Sequence, residues 1–465
     1  MARGKKKETI LTPEEKLQQA LVSESEWPYK VPENWRWVTA SSIASVISKG
    51  TTPQGGKDGY TDDGVKFLRV ENICNDGTIS HEGIMHVSEE MHTGFLKRSV
   101  LQEGDILVSI AGTLGKTAVV RSIDLPMNTN QAVSFIRLKD NTINSAFFKL
   151  AIDNPIIQER LLSQTKVTSI PNLTLDIIGR CPIPLSPLSE QQRIVDRIES
   201  LFVKLDEAKE KAQAVVDGFE NRKAAILHKA FTGELTERWR RTNNVDNDSW
   251  RLYRFDDCVD VMQNGIAKRK GNSGKYYVVL RLANLTDNGF NESDLREILL
   301  DEKEQKNYEL KPNDVLMVRV NGSKDNVGKQ YLITNQKRWA FCDHIIRIRY
   351  SNFIIPQYMV LFSKSEVYRQ YIKDNMVSSA GQNTISRKGM AKLNIPIPLL
   401  GEQEQIVANL SRIFEKEQQV KDSAEQVIAQ IDTMKKSILA RAFRGELGTN
   451  DPSDESAEEL LKRIL

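Results

Sequence analysis

Little in this chain is suited to covalent chemistry. Among its 465 residues there are only four cysteines and five histidines. Cys74, Cys181, Cys258 and Cys342 stand far apart with no paired spacing, which argues against a zinc cage and a disulfide framework. A reduced, cytoplasmic setting follows. His81, His86, His92, His228 and His344 have neither metal-ligand nor nucleophile spacing. Long apolar runs are also missing, so no membrane span is expected. The opening Met-Ala-Arg-Gly-Lys-Lys-Lys-Glu has no apolar core and is not a signal peptide. Charge of one sign is absent too: 65 Lys+Arg against 62 Asp+Glu leave +3. Such a balance does not by itself indicate nucleic acid, and only local clusters can. The chain is expected not to be an enzyme, with no catalytic residue and no metal.

Three look-alike motifs fail on spacing or context. Gly112-Thr113-Leu114-Gly115-Lys116-Thr117 has two residues between its glycines where a phosphate loop needs four. Its counterpart, from Gly322 to Gly328-Lys329-Gln330, has five and lacks Ser or Thr after the lysine. Asp153-Asn154-Pro155-Ile156 resembles a loop that grips a flipped base, but Ile156 cannot stack on one. Asp206-Glu207-Ala208-Lys209 imitates a helicase acidic box within a heptad pattern, where a solvated helix face is the simpler reading.

What is present is a repeat. Residues 190–235 align without a gap on 402–447, and 17 of 46 positions are identical. The copies open Glu190-Gln191-Gln192-Arg193-Ile194-Val195 and Glu402-Gln403-Glu404-Gln405-Ile406-Val407. They close Ala230-Phe231-Thr232-Gly233-Glu234-Leu235 and Ala442-Phe443-Arg444-Gly445-Glu446-Leu447. Ile194, Ile198, Leu201, Leu205, Ala208, Ala212, Val215, Phe219 and Ile226 form a heptad seam, with Arg222 in the remaining slot. Ile406, Leu410, Ile413, Val420, Ala424, Val427, Ile431, Met434 and Ile438 form the second, with Glu417 as its exception. A seam of period 3.5 calls for a partner helix. At about 1.5 Å per residue each seam is roughly 50 Å long. The seams match in length and register, so they are expected to pair with one another rather than with their own domains. The insert between them allows either direction, and a pseudo-two-fold repeat would make them antiparallel. Glu417 reads as a register device or a point of contact with a partner.

The remaining chain repeats more faintly. Residues 1–31 are a charged leader with a short helix capped at Thr12-Pro13-Glu14-Glu15. A first mixed domain occupies 32–189, with strand candidates at 66–70, 105–110, 118–121 and 132–137 and a helix at 145–163. It closes on Pro182-Ile183-Pro184-Leu185, a stiff connector to the first long helix, 190–238. A linker and second mixed domain span 239–399, the second long helix spans 400–448, and an acidic tail with a short helix fills 449–465. The second domain answers the first: Leu68-Arg69-Val70-Glu71-Asn72 with Leu280-Arg281-Leu282-Ala283-Asn284, Gly115-Lys116 with Gly328-Lys329, Asn130-Gln131 with Asp343-His344, and a helix at 356–373 with the one at 145. The fold class expected is α+β, with two mixed α/β domains joined by two long helices.

Recognition is the function left. Lys49, Thr51 and Thr52 lead a Gly-rich loop, and Lys268, Arg269 and Lys270 lie in its counterpart. Such loops offer N–H groups and cations to phosphates. Arg69 with Asn72 and Arg281 with Asn284 are strand-to-loop pairs whose types suit guanine and adenine. Lys116, Asn130, Gln131, Asn172, Arg319, Asn321, Ser323, Lys329, His344, Gln382 and Asn383 complete the DNA-binding candidates. Cys342 and His344 alternate on one strand and are read as packing or recognition residues. A scaffold whose two domains bind proteins is the competing reading, and steep salt dependence would favour DNA.

The residues Ile183-Pro184-Leu185-Ser186-Pro187-Leu188-Ser189-Glu190-Gln191-Gln192-Arg193-Ile194-Val195, the closing Ala230-Phe231-Thr232-Gly233-Glu234-Leu235-Thr236-Glu237-Arg238-Trp239, and their second copies carry a resemblance. The chain from about 28 to 448 resembles the specificity (S) subunit of type I restriction–modification systems; only the Thr-Glu-x-Trp extension is missing after Leu447. The resemblance implies two target recognition domains, each reading half of a split DNA sequence, and an antiparallel coiled coil that spaces them. It implies two methyltransferase (M) subunits that carry S-adenosylmethionine and methylate adenine. It further implies two restriction (R) subunits using ATP and Mg, with no cofactor in this chain and a bacterial or archaeal cytoplasm. A helix pair of this length can hold two readers about one duplex turn, some 34–36 Å, apart. Because the domains differ, an asymmetric target follows.

Overall fold

The computed structural model describes residues 12–139, 143–165, 171–287 and 289–465. Two compact units result. One holds the described residues up to Lys211 together with Val427–Leu465, and the other holds Ala212–Gln426. Residues 1–11 of the expected leader lie outside the described residues.

In the first unit the leader helix is Pro13–Ala20, closed by a reciprocal cap: Glu15 N donates to Thr12 Oγ1 (3.2 Å) and Thr12 N to Glu15 Oε2 (2.8 Å). The mixed domain has three small sheets. Arg36–Thr39 pairs antiparallel with Pro182–Leu185. A four-stranded antiparallel sheet runs Ala44–Lys49, Val133–Leu138, Ile106–Ser109, Thr117–Val119. A three-stranded sheet runs Met85–Val87, Val65–Leu68, Met127–Thr129, its last pair parallel. The Pro-x-Pro connector is thus a strand. Proline is tolerated because the sheet has only two strands and leaves edges free.

The second unit repeats this plan strand for strand. Arg251–Arg254 pairs with Asn394–Ile397. The four-stranded sheet runs Val259–Asn264, Ile345–Tyr350, Val315–Val318, Gln330–Leu332. The three-stranded sheet runs Arg296–Leu300, Lys275–Leu280, Trp339–Phe341, again with the last pair parallel. A ribbon, Val377–Ser379 with Gln382–Thr384, adds to Val320–Asn321. In each unit the single helix expected from sequence is two. Asn154 ends Ser145–Asp153 and caps Pro155–Ser163 through its Oδ1, which accepts from Ile156 N at 3.1 Å. Ser363 to Ser365 separates Pro356–Phe362 from Glu366–Asn375, which Ser365 caps.

The long helices pair antiparallel. In the first unit Lys209 Nζ meets Asp432 Oδ1 at 2.8 Å and Lys435 Nζ meets Asp206 Oδ1 at 2.5 Å, so numbers fall on one helix as they rise on the other. In the second unit Arg222 Nε meets Glu417 Oε2 at 2.8 Å. The two exceptions in the apolar seams therefore answer each other as an ion pair across the helices. The second long helix, Leu400–Ala442, is continuous, whereas the first is Leu188–Asp217 and Phe219–Phe231 with Gly218 between. Arg222 Nη2 donates to Val215 O at 2.9 Å across this break.

The contact band takes in most of the expected seam and extends one place beyond it. Ile194, Ile198, Ala212, Phe219, Ile406, Leu410, Ala424 and Ile431 are buried, and Leu201, Leu205, Val215, Ile226, Ile413 and Ile438 half-buried. Ala208, Val420, Val427 and Met434 are exposed. The residues one place further on, Phe202, Lys209, Val216 and Lys223 and their counterparts Phe414, Lys421, Ile428 and Lys435, are half-buried as well. Lysine stems cover aromatic rings there: Lys435 Nζ lies 4.9 Å from the Phe202 centroid, and Lys421 Nζ 5.0 Å from that of Phe219. A binary apolar pattern does not register that contribution.

At the start of each long helix stands a fully buried Glu-Gln pair. Glu190 accepts from Trp35 Nε1 (2.7 Å), Asn450 Nδ2 (2.9 Å) and Thr449 Oγ1 (3.2 Å). Glu402 accepts from Arg240 Nη1 (2.5 Å), Thr236 Oγ1 (2.6 Å) and Trp250 Nε1 (3.0 Å). Each carboxylate joins the tryptophan just before the first strand of its domain to the segment that follows the other long helix. The glutamines fasten the rest. Gln191 accepts from Asn144 N and donates to Ser186 O, and Gln403 accepts from Ile355 N and donates to Pro398 O and Phe353 O.

The two carboxylates differ in charge balance. Glu402 has a cation, Arg240, while Glu190 has neutral donors, and burial pushes its carboxyl up. Glu402→Gln should therefore destabilise its unit by about 3–5 kcal/mol, the cost of breaking a buried pair from one side. Loss of hydrogen-exchange protection in Arg251–Arg254 would report it. For Glu190 the folded pKa lies above the unfolded one, so the first unit gains stability as pH falls through the folded value and loses it on the way up. Glu190→Gln should abolish that slope while leaving unfolding at pH 7 no earlier than in the parent.

Candidate nucleic-acid interface

The ends of several strands gather at one corner of each domain, because the parallel pair and its antiparallel neighbours terminate together. In the first domain Gly50 N donates to Val133 O, Thr51 N to Thr129 O, Asn130 N to Leu68 O, and Leu173 N to Ile110 O. These bonds bring Lys49, Thr51, Thr52, Arg69, Asn130, Gln131 and Asn172 to the same corner. In the second domain Gly265 N donates to Ile345 O, Ile266 N to Phe341 O, Cys342 N to Leu280 O, and Arg319 N to His344 O. Arg281, Arg319, His344 and the ends of the 377–384 ribbon are thereby grouped. Gly50 and Gly265 are equivalent, and both need to lack a side chain. A Cβ would stand 2.0 Å from Thr129 O in one and 2.1 Å from Cys342 O in the other.

The backbone bonds correct one sequence equivalence. Asn130 corresponds to Cys342, and Gln131 to Asp343, one place earlier than the pairing of Asn130-Gln131 with Asp343-His344. The turn before Val133 closes from Val133 N to Asn130 O, and the turn before Ile345 from Ile345 N to Cys342 O.

The candidates divide by what their side chains already do. Asn72 and Asn284 are buried and accept from Arg69 N (3.0 Å) and Arg281 N (2.9 Å). Asn383 is buried and donates to Asn321 O and Gly322 O, which holds the ribbon on its neighbour. Asn321 Oδ1 accepts from Ser323 N at 2.8 Å. These amides shape turns, a role the sequence gives no means of separating from recognition. Lys116 Nζ donates to Ile73 O at 2.9 Å. Arg69 pairs with Glu71, Arg281 with Asp294 (2.8 Å), Lys329 with Asp287 (3.0 Å) and Lys268 with Glu304 (2.5 Å). Glu71, Asp294 and Asp287 are solvent-exposed, so a phosphate can take their place at the cation. Lys329 holds the Asp287 carboxyl below its usual range. Lys49, Arg269, Lys270, Asn172 and Gln382 are exposed, and among the described residues the three cations form no ion pair. Thr52 donates to Gln131, and Arg319 Nη1 to Asp343 O at 3.1 Å.

The look-alike motifs serve structure. The Gly112–Lys116 turn leads into the strand Thr117–Val119 and does not open a helix, as a phosphate loop does. Asn154 is fully buried as a cap. Cys342, Asp343 and His344 place ligand atoms within 4.8 Å of one another, but burial pushes the Cys342 thiol up and disfavours a thiolate ligand.

The family profile described as "Type I restriction modification DNA specificity domain" matches residues 32–216 and 247–427. The type I restriction enzyme StySPI specificity subunit of Salmonella potsdam is 27% identical over 427 residues, 90% of each chain. The EcoKI specificity subunit of Escherichia coli (strain K12) is 24% identical over 424 residues, again 90% of each. The HsdS subunit from Thermoanaerobacter tengcongensis superposes with a TM-score of 0.61 at 21% identity, covering 91% of this chain and all of that one. A chain from a structure addressing complex assembly of a type I R-M system gives 0.64 at 21% identity, covering 90% of this chain and all of that one.

Gly50→Ala provides a local test of the corner. The added carbon must displace the 129–130 backbone, so amide exchange at Thr51 and Asn130 should quicken while the long helices keep their protection. Unchanged exchange at the corner would contradict the close approach.

Proposed function

The chain belongs to the type I restriction modification DNA specificity family, and from that premise we propose how its parts divide the work. The chain is the non-catalytic specificity subunit of a type I restriction–modification complex, and its two domains are two DNA readers. We assign each corner to one half of a bipartite target. The observation that carries this is one backbone plan with two different sets of side chains at its corner. The repeated frame supports two like partners, and the diverged corners support two unlike half-sites. The paired helices are assigned the spacing of those half-sites; a continuous helix of 43 residues is about 65 Å long.

DNA and the other subunits of such a complex are the partners. Two methyltransferase subunits and two restriction subunits are the stoichiometry we propose, matching the two copies of the frame. S-adenosylmethionine is assigned to the first pair, and ATP and Mg to the second. Val420, Val427 and Met434, seven residues apart on the second long helix, remain 49%, 41% and 48% exposed. Exposed apolar residues at this spacing are where we place a methyltransferase contact. Among the described residues no helix is long and apolar enough to cross a membrane, and a bacterial or archaeal cytoplasm is the setting proposed.

The test is duplex selection by the chain assembled with its methyltransferase partner. One split motif should be enriched, and binding should fall steeply with salt as phosphate contacts release counterions. Enrichment of no motif would sink the reading. For assembly, Val427→Asp should weaken methyltransferase capture at least about tenfold, because an unpaired charge would be buried at the contact. Helix content should not change, since Val427 is not buried within the chain.

A further inference from the structure

Two corners built on one plan can be compared position by position. Residues common to both cannot tell two half-sites apart, and residues that differ can. Arg69 and Arg281 are common, as are Lys116 and Lys329. They are cations, and Arg69, Arg281 and Lys329 already hold exposed carboxylates, which suits them to phosphate in either half-site.

The turn that follows the parallel strand differs. It is closed from Val133 N to Asn130 O (3.2 Å) in the first domain and from Ile345 N to Cys342 O (2.9 Å) in the second. Gln131 and Asp343 occupy the same place at its tip. Gln131 is exposed, and the Asp343 side chain is 45% exposed. The support beneath each tip differs in step. Thr52 donates to Gln131 Oε1, and the equivalent of Thr52 in the second domain is Ala267. There Arg319 holds the Asp343 carbonyl instead, and the equivalent of Arg319 in the first domain is Ile110. Each tip residue thus has a prop that its counterpart lacks.

Their chemistry is also different. With Thr52 on one lone pair, Gln131 Oε1 keeps a second lone pair beside the Nε2 donors. An acceptor next to a donor matches the N6 amino group and N7 of adenine. An aspartate carboxylate is acceptor-only, and His344 Nδ1 lies 3.4 Å from Asp343 Oδ1. The carboxylate can accept from an exocyclic amino group and repels the acceptor edges of guanine and thymine; cytosine N4 is the fitting partner. Building on the DNA-reader assignment above, we infer that Gln131 and Asp343 are specificity-determining residues, Gln131 reading an adenine in one half-site and Asp343 a cytosine in the other.

The experiment is methylation profiling of random duplexes by the full chain with its methyltransferase partner. Gln131→Ala should relax one adenine position in one half-site, lowering discrimination there about 10- to 100-fold, the range for losing one bidentate contact. Gln131→Glu should turn that position towards cytosine. Asp343→Asn, nearly isosteric, should turn one cytosine position in the other half-site towards adenine. Lys329→Ala should weaken all duplexes alike and leave the motif intact. The inference is overturned if the parent selects a clear motif that Gln131→Glu and Asp343→Asn leave unchanged, or if Lys329→Ala alters bases. A parent that selects no motif overturns the DNA-reader assignment itself, and this inference with it.

Discussion

A carboxylate buried at the start of each long helix must be satisfied by donors, and the chain brings those donors from places far apart in sequence. Glu190 takes them from Trp35, Thr449 and Asn450, and Glu402 from Thr236, Arg240 and Trp250. Burying an ionised group without such partners would cost several kcal/mol. Three pieces therefore have to meet for either helix to begin where it does: the tryptophan just before the first strand of a domain, the helix start, and the segment after the other helix. The neighbouring glutamines extend the constraint to the Pro-x-Pro strand and to the residue that precedes a domain helix. The repeated Glu-Gln letters are therefore an instruction for closing the chain on itself within each unit.

Given that frame, the domains are free to differ where they do not carry it. Strand order, the parallel pair and the glycine that lets the 50 or 265 backbone pass close to its neighbour are kept. The corner side chains are not. A common scaffold with private tips is what an asymmetric target requires. It explains why the helices are alike at 17 of 46 positions while the domains align only in short stretches.

Periodicity made the helices, their pairing and the doubled architecture legible in the sequence. Fourteen of the eighteen apolar seam positions it named are buried or half-buried, and it left out the neighbouring positions where lysine stems cover Phe202 and Phe219, because lysine counts as polar in any apolar pattern. Short strands such as Met85–Val87 and Met127–Thr129 offer too few residues for alternation to register. Proline at 182 and 184 argued against a strand that a two-stranded sheet allows. The helix breaks at Pro155 and Ser363 carried usable signals, an Asn-Pro cap and a serine cap. At the corners the backbone bonds group some of the candidates, but which of their side chains close turns was not legible. Whether Asn72 faces solvent or closes a turn depends on a hydrogen bond to Arg69 N that composition does not reveal. The sequence repeats Trp35-Arg36 as Trp250-Arg251, and the two tryptophans hold the repeated acids at 190 and 402.

Each domain is assigned its own half of the target, on a frame that stays the same whatever is read. Replacing residues 32–181 with the corresponding domain of another family member, and determining the motif methylated by the assembled complex, tests that assignment most directly. One half-site should change to that of the donor while the other half-site and the gap between them stay as they were. A change in both halves, or in neither, would contradict it.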